Sequence, residues 1–154
     1  MVKFFLSKSP AETKKIGRDL AKKIEKDGPL KKARLLALEG DLGGGKTTFL
    51  QGFAKGLGIE EKILSPTFVI IKRFKIPCLP ARRGFRNFYH LDCYRLKSAK
   101  EVLDLGFSEI LFCPENVVAV EWSEKIKKIL PEKAIGLEFK FIDDKKRKIT
   151  ISHG

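Results

Sequence analysis

An apolar run that breaks at glycines and resumes as a helix, at residues 35–49, constrains this chain more than any other stretch. Its fixed positions Gly40, Gly45, Lys46 and Thr47 satisfy the pattern G-x-x-x-x-G-K-[ST]. Because glycine has no Cβ, such a loop can turn several backbone N–H groups toward one anion, and the N-terminus of the following helix adds partial positive charge. The stretch therefore predicts a strand, a phosphate-binding loop and a helix.

The chemistry of a polyphosphate gives two of these side chains a role. Lys46 is expected to reach the β- and γ-phosphates, and the Thr47 hydroxyl is expected to ligate Mg²⁺, which prefers oxygen ligands. The alternative interpretation is a glycine-rich turn between a buried strand and a surface helix. The apolar strand before the loop and the helix after it favour the phosphate-binding interpretation.

Length and composition bound the kind of protein. The 154 residues suit a single domain, 1–154. Cys78, Cys93 and Cys113 are odd in number and far apart, which argues against a zinc site and favours a reducing compartment. The N-terminal apolar run is too short for a secretory signal, and no stretch approaches membrane-spanning length. We therefore expect a soluble, cytoplasmic protein without membrane contact.

The chain is strongly basic. A net charge of +13 attracts polyanions such as nucleotides or RNA but does not select among them. The segment Lys72–Arg86, expected to be a hairpin tip or loop, contributes a dense group of cations: Lys72, Arg73, Lys75, Arg82, Arg83 and Arg86. This segment is either solvated surface or a landing site for RNA phosphates or an acidic partner, and we favour the solvated surface.

The order of patterned stretches predicts an α/β fold. A capping box beginning at Ser9 opens an amphipathic helix, and alternation in residues 137–141 and 148–152 predicts an antiparallel C-terminal hairpin. Ser98 and Ser123 are expected to cap two more helices, the first of which should stop at Gly106. The expected architecture is a P-loop NTPase-type three-layer sandwich, with a central mostly parallel sheet, an antiparallel C-terminal hairpin and helices on both faces.

Two acidic residues end apolar strands. Asp92 follows the aromatic run 87–91, and Glu121 follows the fully apolar run 117–120. Ligands of open α/β sheets collect outside the carboxyl ends of strands, so both acids are candidates to face Lys46 and Thr47. Our hypothesis is that Glu121 holds Mg²⁺ with Thr47, while Asp92 orients the attacking water or the water shell of the metal. The alternative for each acid is a structural cap or salt bridge at a strand end.

Thr67, His90 and Trp122 each have a structural and a functional interpretation. Thr67 sits where a loop enters a strand and is either a turn residue or a sensor of the γ-phosphate and Mg²⁺. His90 lies in an aromatic strand, and we favour a hydrogen-bonded core residue over a catalytic base. Trp122 is either a core residue or, with the N-terminal segment, a neighbour of an adenine ring. Guanine selectivity lacks support because no N-K-x-D or T-K-x-D stretch exists.

The sequence also resembles the TsaE (YjeE) family of bacterial ATPases. The likeness spans residues 10–150 approximately, and several motifs occur in the family's order and at its spacing. The segments that carry it are Gly40-Asp41-Leu42-Gly43-Gly44-Gly45-Lys46-Thr47-Thr48-Phe49, Ser65-Pro66-Thr67-Phe68, His90-Leu91-Asp92-Cys93-Tyr94-Arg95-Leu96, Leu105-Gly106-Phe107-Ser108-Glu109 and Val120-Glu121-Trp122.

This resemblance implies a cytoplasmic, Mg²⁺-dependent ATPase required for the threonylcarbamoyl modification of adenosine 37 in tRNA. Its partners would be the TsaD and TsaB subunits, with ATP hydrolysis resetting their complex and with tRNA contacted indirectly or weakly through basic surface. Thr47 and Glu121 would hold Mg²⁺, Thr67 would act in a switch-like loop, and Lys46 and Asp92 would be catalytic. The residues implied to contact ATP or ADP are Pro10, Thr13, Gly43, Gly44, Gly45, Lys46, Thr47, Thr48, Trp122 and Lys146.

Two other functions remain open from the sequence. A small P-loop nucleotide or metabolite kinase would need an arginine-bearing lid, for which Arg82, Arg83 and Arg86 are the clustered candidates. A non-enzymatic basic RNA-binding domain would function without Lys46.

Overall fold

The computed structural model describes residues 1–65, 70–78 and 84–153. Within these ranges the strands are β1 (Val2–Ser7), β2 (Arg34–Gly40), β3 (Ile71–Lys75), β4 (Asn87–Asp92), β5 (Asn116–Glu121), β6 (Ile135–Phe141) and β7 (Arg147–His153). The helices are α1 (Pro10–Asp27), α2 (Lys46–Gly56), α3 (Lys100–Leu103), α4 (Phe107–Phe112) and a 3₁₀ helix, Ser123–Ile129.

One mixed sheet contains all the described strands, in the order β1-β7-β6-β2-β5-β4-β3. The central strands β6, β2, β5 and β4 are parallel, whereas β3 at one edge and β7 and β1 at the other are antiparallel to their neighbours. Every residue of β5 is buried, as expected for a central parallel strand covered on both faces. The predicted α/β sandwich and its antiparallel C-terminal hairpin are confirmed.

Helices cover both faces of the sheet. On one face α1 and α2 pack over the strands and contribute Leu20, Ile24, Phe49 and Phe53 to the core. On the other face α3, α4 and the 3₁₀ helix contribute a second cluster that includes Val102, Phe107 and Ile126. The loop between β2 and α2 therefore joins a central strand of the sheet to the α1–α2 layer.

The predicted capping box at the start of α1 is present. The Ser9 Oγ accepts a hydrogen bond from the Glu12 backbone N–H at 3.1 Å, and the Glu12 carboxylate accepts one from the Lys8 N–H at 2.6 Å. Pro10 occupies the first helical turn. These contacts fix where α1 begins, at the same edge of the sheet as the phosphate-binding loop.

Helices α1 and α2 approach so closely that glycines are required between them. A Cβ at Gly17 would lie 2.3 Å from the Phe49 carbonyl oxygen, and one at Gly52 would lie 2.0 Å from the Lys14 carbonyl oxygen. A Cβ at Gly56 would meet the Ala21 side chain at 2.6 Å. The backbones of the two helices are therefore in direct contact along much of the length of α2.

Two predicted helix starts are wrong in detail. The helix expected from Ser98 to Gly106 is shorter, because α3 spans only Lys100–Leu103 and Ala99 rather than Ser98 occupies its N-cap position, without a side-chain hydrogen bond. Gly106, with a left-handed φ of 85°, precedes a further helix, α4, that the sequence did not predict. Ser123 does not cap the helix after β5. Trp122 precedes that helix with a left-handed φ of 57°, and the buried Ser123 hydroxyl donates to the Leu38 carbonyl oxygen at 3.3 Å.

Strands β3 and β4 form an antiparallel hairpin that carries part of the predicted basic segment, including Lys72, Arg73 and Lys75. Arg82 and Arg83 lie outside the described residues. Among the helices that the structure describes, none combines the length and apolar character needed to cross a membrane.

Candidate active site

A cleft of about 380 Å³ opens at the carboxyl edge of the parallel strands. It lies between the N-termini of α1 and α2, the end of β5 and the turn between β6 and β7. Its lining residues are Ser9, Pro10, Thr13, Leu42, Gly43, Gly44, Gly45, Lys46, Thr47, Thr48, Ser65, Asp92, Tyr94, Glu121, Trp122, Asp144, Lys145 and Arg147. Most of the sequence-predicted site residues thus meet in one place.

The predicted phosphate-binding loop has backbone angles that glycine adopts readily. Gly40 has a φ of 137°, and a Cβ there would lie 2.1 Å from the Phe139 carbonyl oxygen of the neighbouring strand. Gly45 has a φ of 97° at the N-cap of α2, and no side chain caps this helix. The first N–H groups of α2 therefore face the cleft without a partner from an N-cap side chain, which suits an anion.

Lys46 is almost fully buried and bonds to its own loop. Its Nζ donates to the carbonyl oxygens of Gly40 at 2.8 Å and Asp41 at 2.9 Å, and it lies 4.3 Å from the centroid of the Trp122 ring. Burial lowers the pKa of the ammonium, and the carboxylate of Glu121 acts in the opposite direction. An incoming phosphate offers stronger, charged acceptors than these carbonyls.

Thr47 and Glu121 are in contact, as the metal hypothesis requires. The Thr47 hydroxyl donates to Glu121 Oε1 at 3.1 Å, and Glu121 is only 3% exposed. A hydroxyl and a carboxylate are the hard oxygen donors that Mg²⁺ prefers. In the described ranges no three acidic, histidine or cysteine side chains form a metal cluster.

Asp92 stands directly opposite Glu121 in the parallel register of β4 and β5. Its Oδ2 accepts from the Ser65 hydroxyl at 2.8 Å and its Oδ1 accepts from the Tyr94 N–H at 2.9 Å. Each carboxylate oxygen keeps a second lone pair for a further donor. Ser65 is the last described residue before positions 66–69, and Thr67 lies outside the described residues.

At the other end of the cleft, α1 faces the turn of the C-terminal hairpin. Pro10 and Thr13 line this end together with Asp144, Lys145 and Arg147. Lys146, the hairpin residue expected to border the nucleobase, is not among the lining residues, although both of its neighbours are.

The preference for His90 as a hydrogen-bonded core residue is confirmed, but two contacts of the site were not predicted from the sequence. The Nε2 of His90 lies 2.5 Å from Glu121 Oε2. The Nε of Arg147 donates to the Gly43 carbonyl oxygen at 3.0 Å. The alternation of side chains along β4 places His90 on the same face as Asp92, and this signal could have identified it. Nothing in the local pattern around Arg147 predicts its contact with a loop so far back in the chain.

Comparison with known proteins connects this geometry to a family. The family model described as "Threonylcarbamoyl adenosine biosynthesis protein TsaE" matches residues 7–149. The "tRNA threonylcarbamoyladenosine biosynthesis protein TsaE" of Bacillus subtilis is 41% identical over 144 residues, which are 94% of this chain and 81% of that relative. The protein of the same name from Treponema pallidum is 34% identical over 123 residues, 80% of this chain and 84% of the relative.

A solved structure shows the same fold. The crystal structure of Bacillus subtilis YdiB superposes with a TM-score of 0.73 at 33% sequence identity, covering 99% of this chain and 86% of that one. The comparison thus extends over the sheet, both helical layers and the cleft.

Proposed function

The chain belongs to the TsaE family of threonylcarbamoyl adenosine biosynthesis proteins, and on this premise we propose that it is a Mg²⁺-dependent ATPase of tRNA N6-threonylcarbamoyladenosine synthesis. As a single P-loop domain in the cytoplasm, it would hydrolyse ATP slowly alone. Its partners would be TsaB and TsaD, and hydrolysis would support repeated turnover of their complex.

One observation carries this proposal. The Thr47 hydroxyl at the start of α2 is hydrogen-bonded to Glu121 at the end of a buried strand, 74 positions away, beside a glycine loop whose helix N-terminus has no side-chain cap. A glycine-rich turn that served only to connect a strand to a helix would not need a buried carboxylate brought to its hydroxyl. A polyphosphate with its divalent cation uses both features.

Each residue of the cleft has a defined duty in this proposal. The backbone N–H groups of residues 43–48 bind the phosphates, and Lys46 exchanges its loop carbonyls for phosphate oxygens. Bound Mg²⁺ supplies neutralisation of the charge that develops on the β- and γ-phosphates. Thr47 and Glu121 hold the cation. Pro10, Thr13 and Trp122 border the nucleoside.

Asp92 is the candidate to orient the attacking water. Its carboxylate is held by hydrogen bonds from the Ser65 hydroxyl and the Tyr94 N–H, and each carboxylate oxygen has a second lone pair with which to accept from a water. A water held by such an acceptor can be aligned with the scissile bond without being deprotonated in advance. Thr67, two positions after Ser65 in the sequence, stays the proposed γ-phosphate sensor.

The decisive experiment compares ATP hydrolysis by the wild type and Lys46→Ala, alone and with TsaB, TsaD and tRNA. The wild type should hydrolyse ATP slowly alone and faster with the partners. In Lys46→Ala, the rates without and with the partners should both be at least tenfold lower. Lys55→Ala, an exposed lysine on the same helix, is the matched control and should retain wild-type rates. Partner-independent hydrolysis would overturn the assigned role.

The same assay separates the other functions. Transfer of the γ-phosphoryl group to a small acceptor, rather than to water, would indicate a kinase. Full support of tRNA modification by Lys46→Ala would indicate a role as a basic RNA-binding domain.

A further inference from the structure

His90 lies inside the sheet against the carboxylate of Glu121. In the parallel register of β4 and β5, His90 is opposite Ala119 and Asp92 is opposite Glu121, so His90 is the diagonal neighbour of Glu121 on the same face. The two side chains are 1% and 4% exposed, and His90 Nε2 lies 2.5 Å from Glu121 Oε2. The contact is therefore short and shielded from water.

The hydrogen bonding assigns the proton of the imidazole. A carboxylate only accepts hydrogen bonds, so we place the ring proton on Nε2, where it donates to Glu121. The other nitrogen, Nδ1, is buried and has no hydrogen-bond partner among the residues that the structure describes. Glu121 is thus the one polar group in these ranges that His90 is shown to bond.

Packing alone does not account for a histidine at this position. A buried nitrogen without a partner is unfavourable, and an apolar side chain would avoid that penalty. Its neighbour two residues earlier on the same face, Phe88, is fully buried and apolar. A histidine is explained at this position if its Nε2–H is needed to donate a hydrogen bond to the carboxylate of Glu121.

We propose that His90 is a positioning residue that orients Glu121 for the divalent cation. The His90 Nε2–H donates to Glu121 Oε2, and Glu121 Oε1 is then the oxygen nearer to the Thr47 hydroxyl. The Thr47 Oγ1 lies 3.1 Å from Oε1 and 3.4 Å from Oε2. Because this carboxylate is already held in one orientation, binding the metal costs less side-chain conformational entropy. This inference rests on the proposed function, because it assumes that Glu121 and Thr47 hold Mg²⁺.

The test measures metal binding rather than turnover. Mn²⁺ affinity of the protein–ADP complex is followed by electron paramagnetic resonance, and ADP affinity is measured separately in EDTA. His90→Leu should lower Mn²⁺ affinity about tenfold or more while leaving metal-free ADP affinity within about twofold of wild type. His90→Gln, whose amide N–H can replace the Nε2 donor, should restore most of the affinity. Phe88→Leu is the control for lost packing in the same strand.

The outcomes separate this inference from the proposed function. Wild-type Mn²⁺ affinity in His90→Leu, or an equal loss in Phe88→Leu, would overturn the positioning role. If His90→Leu does not fold, His90→Asn replaces it, because its shorter amide cannot reach Glu121. Equal Mn²⁺ affinities of the Asn and Gln variants would then overturn the role. Failure of the wild type to bind Mn²⁺ with ADP would instead overturn the proposed function, and this inference with it.

Discussion

The Nε of Arg147 donates to the carbonyl oxygen of Gly43 at 3.0 Å, which ties the C-terminal hairpin to the phosphate-binding loop across 104 positions of sequence. The same guanidinium donates to the Lys146 carbonyl oxygen at 3.0 Å and lies 4.5 Å from the centroid of the Phe141 ring. The position of the loop thus depends on a residue of the hairpin.

Removal of this tie should weaken nucleotide binding. We expect Arg147→Ala to reduce ADP affinity by about tenfold, because a charge-assisted hydrogen bond to the loop contributes roughly 1.5 kcal/mol. Arg147→Lys should recover only part of the affinity, since an ammonium cannot stack and bond in several directions as a guanidinium does. Isothermal titration calorimetry checks both, with the exposed neighbour Lys148→Ala as control. Equal affinities of Arg147→Ala and Lys148→Ala would contradict the prediction.

Loss of the charge at Glu121 should affect the metal more than the nucleotide. Glu121→Gln keeps the size of the side chain and its bond from Thr47 but removes the negative charge, so we expect the Mg²⁺ concentration for half-maximal ATP hydrolysis to rise at least tenfold. Titration of hydrolysis with Mg²⁺ measures this. Glu124→Gln, at an exposed position three residues later, should leave the midpoint unchanged. An unchanged midpoint in Glu121→Gln would remove this residue from the metal site.

Nucleotide binding should be visible in the fluorescence of the protein. Trp122 is the single tryptophan of the chain, and Lys46 Nζ lies 4.3 Å from the centroid of its ring. The phosphates of ADP are expected to draw the Lys46 ammonium away from the indole ring. ADP should therefore change the fluorescence emission of Trp122. Binding of ADP seen by calorimetry without any change in emission would show that Lys46 does not move.

The close contact of α1 and α2 predicts a sharp sensitivity to one methyl group. Gly52→Ala should lower the free energy of unfolding by about 1–3 kcal/mol or more, because the new Cβ would collide with the backbone of Lys14. Gly136→Ala is the control, since its Cβ would lie 2.6 Å from the Ser152 hydroxyl, which can rotate, and at an ordinary 3.9 Å from the Ser152 carbonyl oxygen. Urea denaturation of both variants provides the comparison. Similar midpoints for the two would argue that the helices can separate at little cost.

Chemical labelling should distinguish the cysteines. Burial raises the pKa of the Cys93 thiol to about 12, with the neighbouring Asp92 carboxylate acting in the same direction. Relative to the ordinary value of 9.0, this lowers the thiolate fraction at pH 8 about a thousandfold. Mass spectrometry after iodoacetamide treatment should therefore find the exposed Cys78 modified long before Cys93. In urea the two should react at similar rates. Early modification of Cys93 in the native protein would reveal opening of the sheet beside the cleft.

Local patterns predicted the elements that are built locally. The loop between β2 and α2, the capping box at Ser9 and the C-terminal hairpin each depend on residues close in sequence, and the structure confirms these three elements. Helix α4 was missed because a glycine that is expected to end one helix can also precede the next in left-handed conformation.

Contacts that depend on strand register could not be predicted in the same way. The approach of His90 to Glu121 requires β4 and β5 to pair with Asp92 opposite Glu121, and a shift of one residue would turn both side chains to the other face. The contact of Arg147 with Gly43 requires the hairpin to cross the end of β2. Alternation along β4 places His90 on the face of Asp92, but neither the register of β4 on β5 nor the path of the hairpin can be read from composition or periodicity.

The glycines between α1 and α2 have a consequence for how the cleft can open. Pro10 and Thr13 lie at the start of α1, and Gly45 and Lys46 lie at the start of α2. Since the backbones of the two helices are in direct contact, their N-termini form one rigid wall of the cleft. We therefore expect room for a nucleotide to enter or leave to come from the opposite wall, where the C-terminal hairpin is joined to the loop by the hydrogen bond from Arg147 to the Gly43 carbonyl oxygen.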